Sequence, residues 1–233
     1  MSANAASSAF SKWSIRAGIL AIFWALCSYL QSINDHFYVL DPEVLHGCVN
    51  ASLARAEAQG QNGNASFIVH NLLTELDKAY PDASMLTDYT DRSEWVFNNA
   101  GGAMGSMYII HASITEYLII FGSAIGTEGH TGRHTADDYF HMLTGAEYAY
   151  EAGSLVREEY LPGSVHHLER GVVKQYSMVP ESWALEYARG WIPLMLPFGF
   201  ADMMFSTLDV QTMYHTSRIT AREMIKNLLR GKF

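Results

Sequence analysis

A run near the N-terminus constrains this chain more than any other feature. Residues 15–33 read IRAGILAIFWALCSYLQSI, and nothing from Ala17 to Leu30 is charged. As a helix, about 20 such residues span about 30 Å of hydrocarbon. A cleaved signal peptide has a shorter apolar core and a small-residue cleavage site. Here the run carries Phe23, Trp24 and Tyr29 and continues into INDHFYVLDPE with no such site. A buried core helix is a second alternative, and a retained single-span anchor is the favoured reading. Lys12 and Arg16 precede the run and Asp35, Asp41 and Glu43 follow it, a weak vote for a cytosolic N-terminus with the bulk of the chain across the membrane. Asn50-Ala-Ser and Asn64-Ala-Ser are glycosylation acceptors if that side is lumenal.

Composition limits the rest. In 233 residues, 49% are hydrophobic and 17% charged, against about 25% charged in an ordinary soluble domain. That excludes disorder and a coiled coil, and a mean hydropathy of +0.00 is too low for a many-helix transporter. The net charge of −9 gives no reason to expect a nucleic-acid partner. Two cysteines, Cys27 and Cys48, make neither a disulfide framework nor a four-thiolate zinc site.

A second apolar concentration, WIPLMLPFGFADMMFSTLDVQTMY, covers 191–214, where Pro193 and Pro197 break it short of a span. After it Arg218, Arg222, Lys226, Arg230 and Lys232 recur at spacings near four. Ile219, Met224, Ile225, Leu228 and Leu229 fall largely elsewhere, the pattern of a basic amphipathic helix on an anionic membrane surface. The alternative is an ordinary surface helix. Between the two concentrations, Phe67, Val69, Leu72, Leu73 and Leu76 suit an amphipathic helix. From Tyr108 on, glycines and prolines punctuate short apolar runs, as in a small β-barrel or sandwich.

The richest polar cluster is GTEGHTGRHTADDYFH, Gly126 to His141. It has no H-x-H pair, and the adjacent His166 and His167 point to opposite faces of a strand, so a metal site is not expected. No phosphate loop and no G-x-S-x-G nucleophile occurs. What remains is acid–base chemistry by carboxylates and histidine in an apolar cavity, or a solvated turn. From the residues alone the turn is the simpler reading. In SWALEYARGW a single carboxylate, Glu186, stands among Trp183, Leu185, Tyr187 and Trp191, either functional or paired to Arg189. Glu116 stands in an otherwise apolar strand, and buried Glu is rare unless paired or functional.

Longer segments carry more. SEWVFNNAGGAMGSM, HASITEYLIIFGSAIGTEGHTGRHTADDYF, SWALEYARGWIP and FADMMFSTLD, in this order, resemble the family that holds the fungal C-8 sterol isomerases and the animal sigma-1 receptor. HTADDYF is similar to the isomerase branch. The resemblance implies an α+β membrane protein with four parts. Residues 1–34 would be tail and transmembrane helix, 35–95 a helical lead-in, 96–185 a cupin-like β-barrel around an occluded pocket, and 186–233 barrel closure with two amphipathic C-terminal helices on the membrane. It also implies residence in the endoplasmic reticulum, a homo-oligomer (a trimer in the receptor branch), no cofactor and no metal.

The family's pocket carboxylate falls on Glu186. Its second acid falls on Phe140, a departure. Asp138, two residues earlier, shares the face of Phe140 and is expected to replace that acid, and Asp137 points away. His134, of the same parity, is expected to relay or tune the proton, and Tyr117 to orient Glu186. Trp95, Met107, Phe121 and Met178 are expected as apolar lining, and Ala103, in place of a receptor aromatic, as extra room. The implied reaction moves a sterol double bond from Δ8 to Δ7, the fecosterol-to-episterol type of step in ergosterol biosynthesis, through a cation at carbon 8. Hydrophobic amines that imitate this cation are implied as inhibitors, and a non-enzymatic receptor-like binder of amines and sterols is the alternative.

Overall fold

The computed structural model describes residues 3–233 along the backbone, with side chains from Lys12 on. The chain divides into two compact units, one ending at Phe37 and one running Tyr38–Phe233. The first is helix α1, Ala3–Ile33, closed by a 3₁₀ turn, Asn34–Phe37. The segment Lys12–Phe37 is long and apolar enough to cross a membrane.

The second unit starts with α2, Pro42–Ala58, and α3, Ala65–Ala79. Asp41 caps α2 by accepting from the Glu43 and Val44 amides at 2.8 and 3.1 Å, with Pro42 pre-set for the first turn. Asn64 caps α3 through the Phe67 amide at 3.1 Å. Ten strands follow: β1 Trp95–Ala100, β2 Ala103–Ala112, β3 Glu116–Ser123, β4 Thr127–His130, β5 Ala136–Thr144, β6 Glu147–Tyr150, β7 Glu158–Tyr160, β8 Val165–Leu168, β9 Gln175–Met178 and β10 Ser182–Gly190. The larger sheet has the order β1-β2-β3-β10-β5-β8 and the smaller β4-β9-β6-β7. Every pairing is antiparallel, and among the described residues no ladder joins the sheets. The body is therefore a sandwich of two open sheets, not the closed barrel expected. Strand β10 also crosses the 185/186 boundary drawn from the sequence and lies inside the larger sheet rather than closing it from outside.

The period-two rule explains the apolar runs of β2, β3 and β10. Tyr108, Ile110, Leu118, Ile120, Leu185 and Tyr187 pack outward with α2 and α3. Their alternates Met107, Ile109, Ile119, Phe121, Ala184 and Ala188 pack inward. Both faces of the sheet are covered, so the strands read as continuous hydrophobic stretches rather than alternating ones. Each fully buried Leu, Ile or Met contributes about 1.5–3 kcal/mol relative to exposure.

Helices α4, Leu196–Phe205, and α5, Val210–Leu229, close the unit. Both pack on β1, and α5 also on β2. Asp209 caps α5 through the Thr212 amide at 3.0 Å. The inward face of α5 buries Ile219 and Met224 together with Thr216, Thr220, Glu223 and Asn227, and its outward face exposes Val210, Tyr214, Ile225 and Leu229. Both faces are thus mixed, without the clean division of basic from apolar residues that was expected. Arg222 is not part of a free basic stripe: it holds Glu94 at 2.7 and 2.8 Å and Glu223 at 2.7 Å. Lys226 lies 3.5 Å from Glu223, and Lys232 lies 2.6 Å from the fully buried Glu116.

Glu116 accepts also from the Val39 and Leu40 amides at 2.9 and 2.8 Å and from Tyr187 Oη at 2.6 Å. Lys232→Met leaves this carboxylate buried without its cation. Breaking a buried pair costs about 3–5 kcal/mol, and the lower end applies because Lys232 keeps some solvent. Thermal unfolding in detergent measures it, and an unchanged midpoint would show that Lys232 does not support the fold.

Candidate functional site

The inner face of the larger sheet meets the smaller sheet around a cavity of about 150 Å³. Inward residues of β10 and β5 define its acidic centre. Glu186 lies opposite Phe140 and Ile119 in the two ladders, and Ala188 lies opposite Asp138 and Tyr117. Alanines at 184 and 188 keep the middle of the sheet shallow, so the Glu186 and Asp138 carboxyls reach each other and form a side-chain hydrogen bond. Burial raises both carboxyl pKa values, and the charge of Glu186 raises that of Asp138 further. Their contact puts one proton between two carboxyls in an apolar shell. Asp138 Oδ1 has no hydrogen-bond partner among the described residues. The expected departure is thus realised: Asp138 occupies the inward face two residues before Phe140, while Asp137 turns outward onto the Arg170 amide and guanidinium at 3.0 and 3.1 Å.

Met107, Phe121 and Phe140 line the cavity as expected, with Phe121 and Phe140 edge to face at 6.3 Å. Tyr117 also lines it, but its hydroxyl pairs with Thr220 of α5 at 3.0 Å rather than with Glu186. Burial pushes that hydroxyl's pKa up, so Tyr117 stays a neutral phenol.

Four other expectations change. His134 lines the cavity from the loop before β5, not from a strand, so strand parity does not aim it. Its Nε2 lies 2.5 Å from the Thr131 carbonyl, its ring stands edge-on to Phe198, and burial lowers its pKa. It is held against the helical wall by Phe198. Trp95 is opposite Tyr108 and shares its outward face, packing on Tyr108 and Trp183 at 5.3 and 5.8 Å. Ala103 is wedged against β4: a Cβ on Gly129 would come within 2.8 Å of its Cβ, so the small residue serves strand packing and not the cavity. Met178 is buried in the inner cluster but does not reach the cavity wall.

Sequence reasoning missed two walls. One is helical, from Met195, Leu196, Phe198 and Met203. The other is polar: His166 Nδ1 lies 2.9 Å from Glu147 Oε1, both side chains about 3% exposed. The opposite-face rule for His166-His167 was the available signal, since it buries one histidine and leaves the other, His167, stacked on Tyr139 at 4.2 Å outside. Among the described residues no cluster of three or more His, Cys, Asp and Glu side chains is placed to hold a metal ion.

The comparisons agree on one kinship. The C-8 sterol isomerase erg2 of Aspergillus fumigatus is 54% identical over 95% of this chain and 89% of its own. The Sigma non-opioid intracellular receptor 1 of Danio rerio is 40% identical over 75% of this chain and 76% of its own. An RmlC-like cupin from Shewanella frigidimarina overlays 47% of this chain and 95% of its own at a TM-score of 0.35 and 12% identity, a loose likeness with no bearing on function. A family model described as ERG2 and Sigma1 receptor like protein matches residues 17–232, and this chain belongs to that family.

Proposed function

We propose that this chain is a C-8 sterol isomerase that shifts a ring double bond from Δ8 to Δ7 with the Asp138–Glu186 pair as its acid and base. The observation that carries the reading is the hydrogen-bonded carboxyl pair buried in a cavity whose other lining includes Met107, Ile119, Phe121, Phe140 and Met203. The likeness to isomerases supports the sterol as substrate.

The shift adds a proton at carbon 9 and removes one from carbon 7, with a cation at carbon 8 between. It is redox-neutral, so its chemistry calls for no electron carrier. Protonating an alkene needs an acid kept protonated near neutral pH, which a buried carboxyl supplies. The cation needs a nearby negative charge in low dielectric, which the partner carboxylate supplies. One proton shared by the pair provides both forms at once. After turnover the proton gained by one carboxyl passes to the other along their hydrogen bond, and the pair is restored. Phe121 and Phe140 turn aromatic surface toward the same space and add cation–π support. A hydrophobic amine imitates the cation and is bound by the same carboxylate.

Substrate reaches the site from the membrane on this reading. Helix α1 supplies a single span, and the outward apolar face of α4, α5 and the turn between them (Phe205, Leu208, Tyr214 and Leu229 among them) rests in the interface, with Arg218 and the capping residue Arg230 at its rim. The chain would then sit in the endoplasmic reticulum membrane and form a homo-oligomer, the trimer that the resemblance implies.

Glu186→Gln and Asp138→Asn should each lower Δ8-sterol conversion about 10²-fold or more. Membranes expressing each variant, assayed by mass spectrometry without added cofactors, test this, and full activity in either would remove that residue from the mechanism. The same pair taxes the fold. Its raised pKa values mean that the native state binds more protons than the unfolded chain above the ordinary carboxylate range. Stability therefore falls as pH rises through that window. The melting temperature of Asp138→Asn should exceed that of the natural protein at neutral pH and converge with it near pH ~4. Equal pH slopes would mean the pair is not strained.

A further inference from the structure

The carboxyl pair is not the only titratable group facing the cavity. His166 on β8 and Glu147 on β6 meet across it at 2.9 Å, one from each sheet. Strand β8 is the last of the larger sheet, and β7, next to β6, is the last of the smaller. Their contact thus joins the edge strand β8 to β6, one strand in from the edge of the smaller sheet, and among the described residues no backbone ladder bridges the two.

A chain of polar groups runs through this seam in both directions. Outward, His166 Nε2 lies 4.0 Å from Glu158 Oε2. Glu158 accepts from Lys174 Nζ and Tyr160 Oη, each at 2.6 Å, and the Tyr160 ring stacks on His166 at 4.4 Å. Exposure rises along the way, from 3% for His166 to 38% for Glu158. Inward, the β5–β8 ladder sets Asp138 opposite Leu168 and Phe140 opposite His166, so Asp138 and His166 are diagonal neighbours on one face. Glu147 lines the same cavity as Asp138, Glu186 and Tyr176. Glu147 Oε2, His166 Nε2 and Asp138 Oδ1 are all buried without a hydrogen-bond partner among the described residues. Burying such groups costs stability, and a cavity meant only to hold an apolar ligand is better lined with hydrocarbon.

We propose that the Glu158–His166–Glu147 seam is the route by which the cavity's protons exchange with water. An imidazole accepts a proton at one ring nitrogen and releases one at the other. A proton from Glu158 enters at Nε2, the Nδ1 proton passes to Glu147 Oε1, and Glu147 delivers its proton to the carboxyl pair. The reverse order carries a proton out. Charge and proton count in the cavity are the same before and after a full exchange. The three residues handle protons for the pair and form no bond with the sterol, so theirs is a supporting role. The inference rests on the isomerase reading above.

That reading and this one separate in a labelling experiment. Without the seam, the proton taken from carbon 7 stays on the pair and is handed to carbon 9 of the next sterol. With the seam, it is replaced from solvent. Conversion of a protiated Δ8 sterol in D₂O, with deuterium at carbon 9 read per product molecule and compared at the turnover rate measured for each variant, reports how fast exchange is relative to turnover. The natural protein should give product labelled close to the solvent fraction, and His166→Gln should lower the label several-fold. Glu158→Gln, at the exposed end where the fold is least at risk, should do the same and decides the matter if His166→Gln fails to fold. Natural-level label in Glu158→Gln, or little label in the natural protein, would overturn the route. If Asp138→Asn and Glu186→Gln stay active, the carboxyl-pair mechanism fails whatever the label shows. If they are inactive and the seam variants label fully, only the seam fails.

Discussion

Glu116 is the constraint on which the rest of the body depends. A buried carboxylate is tolerated only when its lone pairs are met. Here they take two backbone amides from the lead-in at Val39 and Leu40, a hydroxyl from Tyr187 and the ammonium of Lys232. Four separate stretches of chain are thereby fixed at one point, including the last turn after α5, where Thr115 also bonds the Phe233 carbonyl. The consequence for the site follows from strand geometry. Tyr187 is clamped on the outer face of β10, so Glu186 must point inward. Glu116 is clamped at the start of β3, so Tyr117 must point inward. The aim of the cavity residues is thus set from the opposite side of the sheet, by groups that never touch a ligand.

That division of labour gives the larger sheet two different jobs on its two faces. The outer face is ordinary core, filled by α2 and α3. The inner face is left shallow by Ala184 and Ala188, and the space so created holds two carboxyls that would be more stable in water. The outer packing and the Glu116 hub offset that cost, which is why the pair can persist in a strained ionisation state.

Much of this was legible in the sequence because it depends on local period. The helix around Phe67–Leu76 and the inward placement of Asp138 beside Phe140 follow from 3.6- and two-residue repeats, and the N-terminal helix from its unbroken apolar run. The errors fall where a period was carried past the element that supports it. Parity assigned His134 to the face of Asp138, but β5 begins only at Ala136. Trp95 was placed inside by resemblance, while its pairing with Tyr108 faces it outward. The Glu147–His166 contact was out of reach for a different reason. It joins β8, at the edge of one sheet, to β6, inside the other, and no local pattern says which strands of two sheets will meet.

Helix α5 shows the same limit and resolves it physically. Its basic residues looked like a membrane-facing stripe because spacing reveals which residues share a side, not which side faces in. The side facing in carries Thr216, Thr220, Glu223 and Asn227, and each of the last three has a partner waiting: Tyr117, Arg222 and the Ala112 carbonyl. Ile219 and Met224 are buried on the same side, while Ile225 and Leu229 are left uncovered on the other. In water that arrangement is unfavourable on its outer face. The polar underside ties the helix to the cavity wall directly, through the hydrogen bond of Thr220 to Tyr117.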